Sequence, residues 1–264
     1  MLFAAKISKD WYWQSLWWLV VTAIAVFLKY YYSVAETDDL EWIFHPLAIL
    51  LEFLTGYGFE HNHDGEWASY SANVRLVKAC AGMNFMIMSF LIYSWVFRPD
   101  DKADRLSNIL GQLLLLFAAI ISAWLTCLIA NSFRIVIAMY AVPEDISQNS
   151  GLPLFGMSAE QLHRLIGMLV YIPFLSLQVA LDHRLIKKYR NVIFVIPLFL
   201  YMLFTVLIPL LTGNALKTPD RFVEHMLSLF SMAVFIVVIL VLKNFLSKAM
   251  PQSKKYKHND IRIK

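Results

Sequence analysis

The sequence predicts an all-α protein: a polytopic bundle of transmembrane helices that forms one integral membrane domain over residues 1–264. Hydrophobic residues make up 59% of the chain and charged residues only 16%, against roughly 25% in soluble domains. The mean hydropathy is +0.58. The charges lie between long apolar runs, and the net charge of +4 comes from Lys and Arg that flank these runs. We therefore expect a lipid bilayer around the chain and no nucleic-acid partner.

Six apolar runs are long enough to cross a bilayer, which needs about 20 residues. They are residues 11–30, 79–97, 109–130, 164–181, 191–211 and 223–242. The first run precedes Ser33-Val34-Ala35, whose small residues resemble a signal-peptide cleavage site. Tryptophans at its start and tyrosines at its end are typical of aromatic belts at a membrane interface. We expect this helix to be retained.

The distribution of Lys and Arg predicts the orientation. Both are frequent in loops 98–105 and 184–190 and in the tail 244–264, whereas residues 141–162 contain neither. Cytoplasmic loops of membrane proteins are enriched in these cations. Six spans with both termini inside satisfy this rule, and the tail is then a basic cytoplasmic segment.

Residues 42–59 are apolar but contain His45, Pro46, Glu52 and two glycines. A full crossing here would reverse every later loop and place the basic tail outside. Polar or irregular backbone at membrane depth is tolerated where protein or water covers it. We therefore expect a re-entrant or interfacial helix in the outer leaflet.

With this topology, Cys80, Arg134 and His163 reach the same outer face. The small neighbours of Cys80 leave the sulfur accessible, and the thiolate form of cysteine is the nucleophile. Arg134 lies at the end of an apolar run, where its guanidinium can hold a developing oxyanion. His163 suits general acid–base chemistry near neutral pH. A thiol, a cation and an imidazole together indicate acyl transfer.

Other polar residues have weaker patterns. His225 begins the last helix on the outer side and is a reserve candidate for the base. His61, His63 and Asp64, with His45 nearby, resemble a ligand cluster, but the spacing lacks the context of a known metal motif. We expect neither a metal nor another cofactor. Cys127 lies inside an apolar run and suits a buried structural thiol.

Three segments resemble motifs of the exosortase/archaeosortase family: KACAGMNF around Cys80, NSFRIVIA around Arg134, and LHRLIGMLVYIPFLSL around His163. Their order along residues 40–182 matches that family, and Asn131 to Ile135 fits its arginine motif closely. Cys80-Ala81-Gly82 departs from the commoner Cys-Ser-Gly form. The short chain favours the K-type exosortases within the family.

The resemblance implies a cysteine transpeptidase in the bacterial inner membrane, with its active site on the extracytoplasmic side. Substrates would be membrane-anchored secreted proteins that end in a sorting signal: a short motif, one transmembrane helix and a basic cluster. Cys80 would form a thioester, Arg134 would stabilise charge, and His163 would transfer protons. Asn131 and Arg164 would contact the substrate, and a surface or lipid-linked acceptor would release it.

Two other classes of protein remain open. A transporter or channel would use the prolines inside later helices, such as Pro173, Pro197 and Pro209, to line a path. Such a protein needs charges near the middle of the bilayer, whereas most charges here lie at helix ends. A membrane scaffold would not need Cys80 at all.

Overall fold

The computed structural model describes residues 9–62, 65–99, 109–141, 159–182, 187, 192–217 and 219–249. This part of the chain is mostly helical and contains one small sheet. The main helices are α1 (Lys9–Val34), α2 (Glu41–Thr55), α3 (Met83–Val96), α4 (Ile109–Ala141), α5 (Ala159–Val179), α6 (Val192–Met202, continuing through a π-helical turn to Leu211) and α7 (Pro219–Ala249).

Within the described residues, five helices are long and apolar enough to cross a membrane. They are Trp13–Val34, Lys78–Val96, Ile109–Ala141, Gln161–Val179 and Ile193–Leu211. This confirms a mostly helical chain with several candidate membrane spans, and five predicted runs coincide with these helices. The sixth run, 223–242, falls inside α7, which is not among the five. The tail beyond residue 249 lies outside the described residues.

Helix α4 is longer than the sequence predicts. It has 33 residues and continues two turns past Arg134 instead of ending there. At about 1.5 Å per residue it extends about 50 Å, well beyond the roughly 30 Å of a hydrocarbon core. Arg134 therefore lies inside a continuous helix, with its backbone hydrogen-bonded and only its side chain available for contacts.

Neighbouring helices of the bundle run antiparallel. Lys29 Nζ of α1 donates to Asn84 Oδ1 at the start of α3 (2.7 Å), and Trp17 Nε1 donates to Ser94 O near the end of α3 (3.3 Å). Between α3 and α4, Asn131 contacts Cys80 just before α3 and Thr126 contacts Tyr93 near its end. Between α4 and α5, Asn131 contacts Tyr171, whereas Arg134, further along α4, contacts Gly167, which is earlier in α5. Consequently α1 ends, α3 begins, α4 ends and α5 begins at one end of the bundle. We call this the site end.

The connection from α1 to α3 leaves and returns at the site end. The Lys78 ammonium donates to Ala35 O at 2.6 Å, so the two ends of residues 36–77 lie together. Between them, the 15 residues of α2 extend about 22 Å, less than a full crossing requires. Gly56 ends α2 in the left-handed conformation, with φ +75°.

A three-stranded antiparallel sheet follows α2, which the prediction of an all-α fold did not include. Its strands are β1 (Glu60–His61), β2 (Trp67–Ser69) and β3 (Val74–Leu76), in that order across the sheet. Each strand has only two or three residues, too few for alternating hydrophobicity to be recognised in the sequence.

Helix α3 is the centre of the bundle. It contacts α1, α4 and α5, and almost every residue from Met83 to Phe90 is buried. Because α3 is surrounded on several sides, it is apolar all round instead of amphipathic. The start of α3 is therefore held firmly at the site end, where the turn that carries Cys80 joins it.

Candidate active site

Cys80 lies in a tight turn immediately before α3. The 3₁₀ turn Lys78–Ala81 carries the thiol, and Gly82 then takes the left-handed conformation, with φ +67°. Most side chains are strained in that conformation. A Cβ at Gly82 would also lie 3.2 Å from Asn131 Cγ and from Cys127 Sγ. Glycine is therefore required here both by the backbone and by the close approach of α4.

Arg134 reaches Cys80 from α4. Its guanidinium lies within hydrogen-bonding range of the Cys80 side chain, although the two residues are distant in sequence. The side chain passes over Gly167 of α5, whose ideal Cβ position lies 3.7 Å from Arg134 Cδ. The guanidinium carbon lies 5.8 Å from the ring centroid of Tyr171. A fixed cation that donates to sulfur stabilises a thiolate, because charge-assisted hydrogen bonds are the strong ones.

Asn131 positions the backbone of the cysteine turn. Its Nδ2 donates to Cys80 O, and its Oδ1 accepts a hydrogen bond from Tyr171 Oη at 2.8 Å. Asn131 is only 1% exposed. The family resemblance implies substrate contact for this residue. In the structure its amide is buried and joins the Cys80 turn to α5, one helical turn before Arg134.

A cavity of about 140 Å³ opens beside this turn. It has room for a reacting peptide group, since a water molecule accounts for roughly 30 Å³ of liquid. The start of α3 lines it, and the first N–H groups of a helix have no acceptor within the helix. The lining residues are Tyr32, Ala79, Gly82, Met83, Asn84, Phe85, Met88, Arg134, Tyr171, Tyr201 and Thr205.

Three of these lining residues are tyrosines from different helices. Tyr32, Tyr171 and Tyr201 each lie within electrostatic range of Arg134. Sequence reasoning did not assign Tyr171 or Tyr201 to the site, and it placed Tyr32 in an aromatic belt. Tyr32 lies just beyond the first predicted span, where tyrosines are common at any membrane interface. Tyr171 and Tyr201 lie inside the predicted spans 164–181 and 191–211, so no signal in the sequence connects them with the site.

His163 lies on the first turns of α5, at the site end, with an exposed side chain. It is within electrostatic range of Arg134. In the part of the chain that the structure describes, it makes no hydrogen bond to Cys80. His163 therefore shares the neighbourhood of the Arg134 guanidinium.

Arg164 and His225 lie where α5 meets α7. Arg164 Nη2 pairs with Glu224 Oε2 at 2.8 Å, which joins the two helices. The His225 ring lies 6.4 Å from that of Tyr201, which lines the cavity. His225 Nδ1 is buried without a hydrogen-bond partner among the described residues. His225 thus remains a second candidate for the base.

Two histidines between α1 and α3 pack on an aromatic ring. The rings of His45 and His61 lie 5.5 and 5.3 Å from that of Trp67. His63 and Asp64, which completed the cluster considered in the sequence, lie outside the described residues. Among the residues that the structure describes, no group of three or more His, Cys, Asp or Glu side chains is arranged to hold a metal ion.

Several of the residues that the sequence singles out thus lie together at the site end. Cys80 and Arg134 are in contact, Asn131 supports them, and His163 lies nearby. Arg164 contacts Glu224 at the edge of this region. Comparison with known proteins adds no identification: no protein-family model, no curated protein and no solved structure matches the chain.

Proposed function

We propose that this chain is a membrane cysteine transpeptidase, similar to the exosortases and archaeosortases. It cleaves a C-terminal sorting signal of secreted proteins and transfers them to a surface or lipid-linked acceptor. The observation that supports this most is the contact between the Arg134 guanidinium and the Cys80 side chain beside a cavity. A cation inside a membrane helix is costly and is typical of a functional site.

The chemistry follows from these groups. The Cys80 thiolate attacks the peptide carbonyl, and a carbon–sulfur bond forms while the oxyanion is held by Arg134 and the N–H groups at the start of α3. The carbon–nitrogen bond then breaks, and His163 gives its proton to the leaving amine. An acceptor amine next attacks the thioester and gives a proton to His163. The carbon–sulfur bond breaks and the thiolate is restored.

The proposed topology has six spans, α1 and α3 to α7, with the site end outside the cytoplasm of a bacterium. The Lys- and Arg-rich loops would then lie inside. Helix α2 would be re-entrant or interfacial, which its short length and the return of residues 36–77 to their starting point support. A reporter fused after Glu66 should report an extracytoplasmic position. A cytoplasmic signal would place the whole site inside and contradict the sorting function.

Substitution of the thiol tests the chemistry. We expect Cys80→Ala and Cys80→Ser to abolish processing of co-expressed secreted proteins that carry the tripartite signal, because the nucleophile is lost. Cys127→Ala is the matched control, since Cys127 is a buried thiol next to the same turn, with its Sγ 3.5 Å from Gly82 O. The control should retain processing. Wild-type processing by Cys80→Ala would refute the assignment of the nucleophile.

A thiol alkylator separates this function from a transporter or a scaffold. The experiment uses the Cys127→Ala variant, in which Cys80 is the one cysteine left for the reagent. Labelling of Cys80 should then stop processing completely. A carrier would keep most of its flux after labelling, and a scaffold would keep its partners. Retention of full activity by the labelled protein would favour those classes and contradict the enzyme.

A further inference from the structure

A second and larger cavity lies between α1 and α6. It has a volume of about 570 Å³, within the roughly 300–1,000 Å³ range of small-molecule sites. Ala25 and Val26 form one wall, and Leu203 and Phe204 of α6 form the other. Val26 is 62% exposed on the lateral surface of the bundle. In a membrane, this groove therefore opens sideways toward lipid.

The polar side chains of the groove are concentrated at one end. Lys29, Tyr30 and Ser33 come from the last turns of α1, and Thr212 comes from the end of α6. All four lie at the site end, whereas the wall below them is apolar apart from Thr22. A polar end at the membrane surface followed by an apolar channel matches the shape and polarity of a lipid molecule.

Lys29 is the charged group of the groove. Its ammonium does not extend along α1 toward the membrane surface but turns inward to Asn84 Oδ1, at 2.7 Å. Within the described parts of the chain, no carboxylate forms an ion pair with it. A half-buried cation whose partner is a neutral amide is costly in a membrane. An anion in the groove would neutralise it.

We propose that this groove binds one anionic phospholipid, with its phosphate on Lys29 and an acyl chain along the apolar wall. Lys29 lies five residues before the end of α1, or about 7.5 Å along the helix, which suits the depth of a headgroup. A transmembrane peptide or a second copy of the chain fits less well, because its apolar segment brings no anion to this depth. Asn84 also lines the catalytic cavity, so the bound phosphate would lie next to the site.

Lipid binding does not require transpeptidase chemistry, so the experiment uses the full chain with Cys80→Ala. Native mass spectrometry of delipidated protein would measure binding of phosphatidylglycerol and of phosphatidylcholine with identical acyl chains. We expect one phosphatidylglycerol to bind about tenfold more tightly, as a charge-assisted contact would give. Lys29→Gln should remove this preference, and Lys29→Arg should keep it.

Two controls separate charge from shape. Arg75→Gln removes one exposed cation at the same end, outside the groove, and should leave the preference unchanged. Val26→Trp fills the groove without changing its charge and should weaken binding of both lipids, so the proposal stays testable even if Lys29→Gln does not fold. Equal binding of the two lipids, or an unchanged preference in Lys29→Gln, would overturn the proposal. A photo-crosslinker at position 26 that captures only a peptide or a second copy would also overturn it.

Discussion

Asn131→Ala is the substitution for which the structure gives the clearest magnitude. The buried amide makes two hydrogen bonds, to Cys80 O and from Tyr171 Oη. In soluble proteins, a buried polar group left without a partner costs about 1–3 kcal/mol. Hydrogen bonds between membrane helices are weaker, about 0.6 kcal/mol on average and up to about 1.7 kcal/mol. The membrane-helix scale applies here. Because Asn131 makes two such hydrogen bonds, we expect their loss to lower the unfolding free energy by about 1–3 kcal/mol.

The matched control is Ser132→Ala at the next position. Ser132 is also fully buried, but its Oγ donates to Leu128 O within α4 and joins no other helix. We expect it to cost less than about 0.5 kcal/mol. Tyr171→Phe removes only one of the two hydrogen bonds of Asn131, so its loss of unfolding free energy should lie between those of Asn131→Ala and Ser132→Ala. Because Asn131 and Tyr171 share a bond, the double variant should lose less stability than the sum of the single variants.

The assay is equilibrium unfolding of purified protein in micelles, with processing measured in parallel. Asn131→Ala should also reduce processing, because the turn that carries Cys80 loses its attachment to α4. If Asn131→Ala were no more destabilising than Ser132→Ala, the hydrogen bonds of Asn131 would not stabilise the turn that carries Cys80. If stability fell while processing stayed at the wild-type level, Asn131 would support the fold without positioning the thiol.

The remaining predictions concern the other groups of the site. Arg134→Lys should lose nearly as much processing as Arg134→Ala, because an ammonium does not reproduce the planar donor fork; near-normal processing by the Lys variant would show that charge alone suffices. His163→Ala should slow processing on the order of 10²–10⁴-fold, measured as cleavage rate. If His225→Ala has this effect and His163→Ala does not, the base must be reassigned to His225. Gly82→Ala should cost about 1–2 kcal/mol for its left-handed backbone, with a further loss from contact with α4; thermal unfolding should detect this, and an unchanged midpoint would contradict the tight turn.

Part of the candidate site could be predicted from the sequence, because ionisable residues next to or inside apolar membrane segments usually have a function. Arg134 lies at the end of an apolar run, and Cys80 lies among small residues at the edge of another. The structure places these two side chains in contact. The base was harder to predict, since His163 and His225 both begin helices at the same end. Their distances from the thiol depend on how α5 and α7 pack.

The structural roles of Asn131 and Gly82 could not be predicted from the sequence. The family resemblance implied substrate contact for Asn131, and its burial against the Cys80 turn is a feature that the sequence did not predict. Gly82 was noted only as a small neighbour of the thiol, whereas its φ of +67° and the closeness of α4 make glycine necessary. Both roles depend on contacts between residues far apart in the chain.

Hydropathy by itself predicted that the chain is mostly helical and that its helices are long and apolar enough to span a membrane, because the stability of a helix in lipid depends on the local run of apolar side chains. Tertiary structure decided which polar groups meet. Packing of α3 against α4 and α5 brought Arg134 to Cys80, built the tyrosine-lined cavity and turned Lys29 toward Asn84. These contacts arise from the direction and rotation of whole helices, which no local pattern of residues specifies.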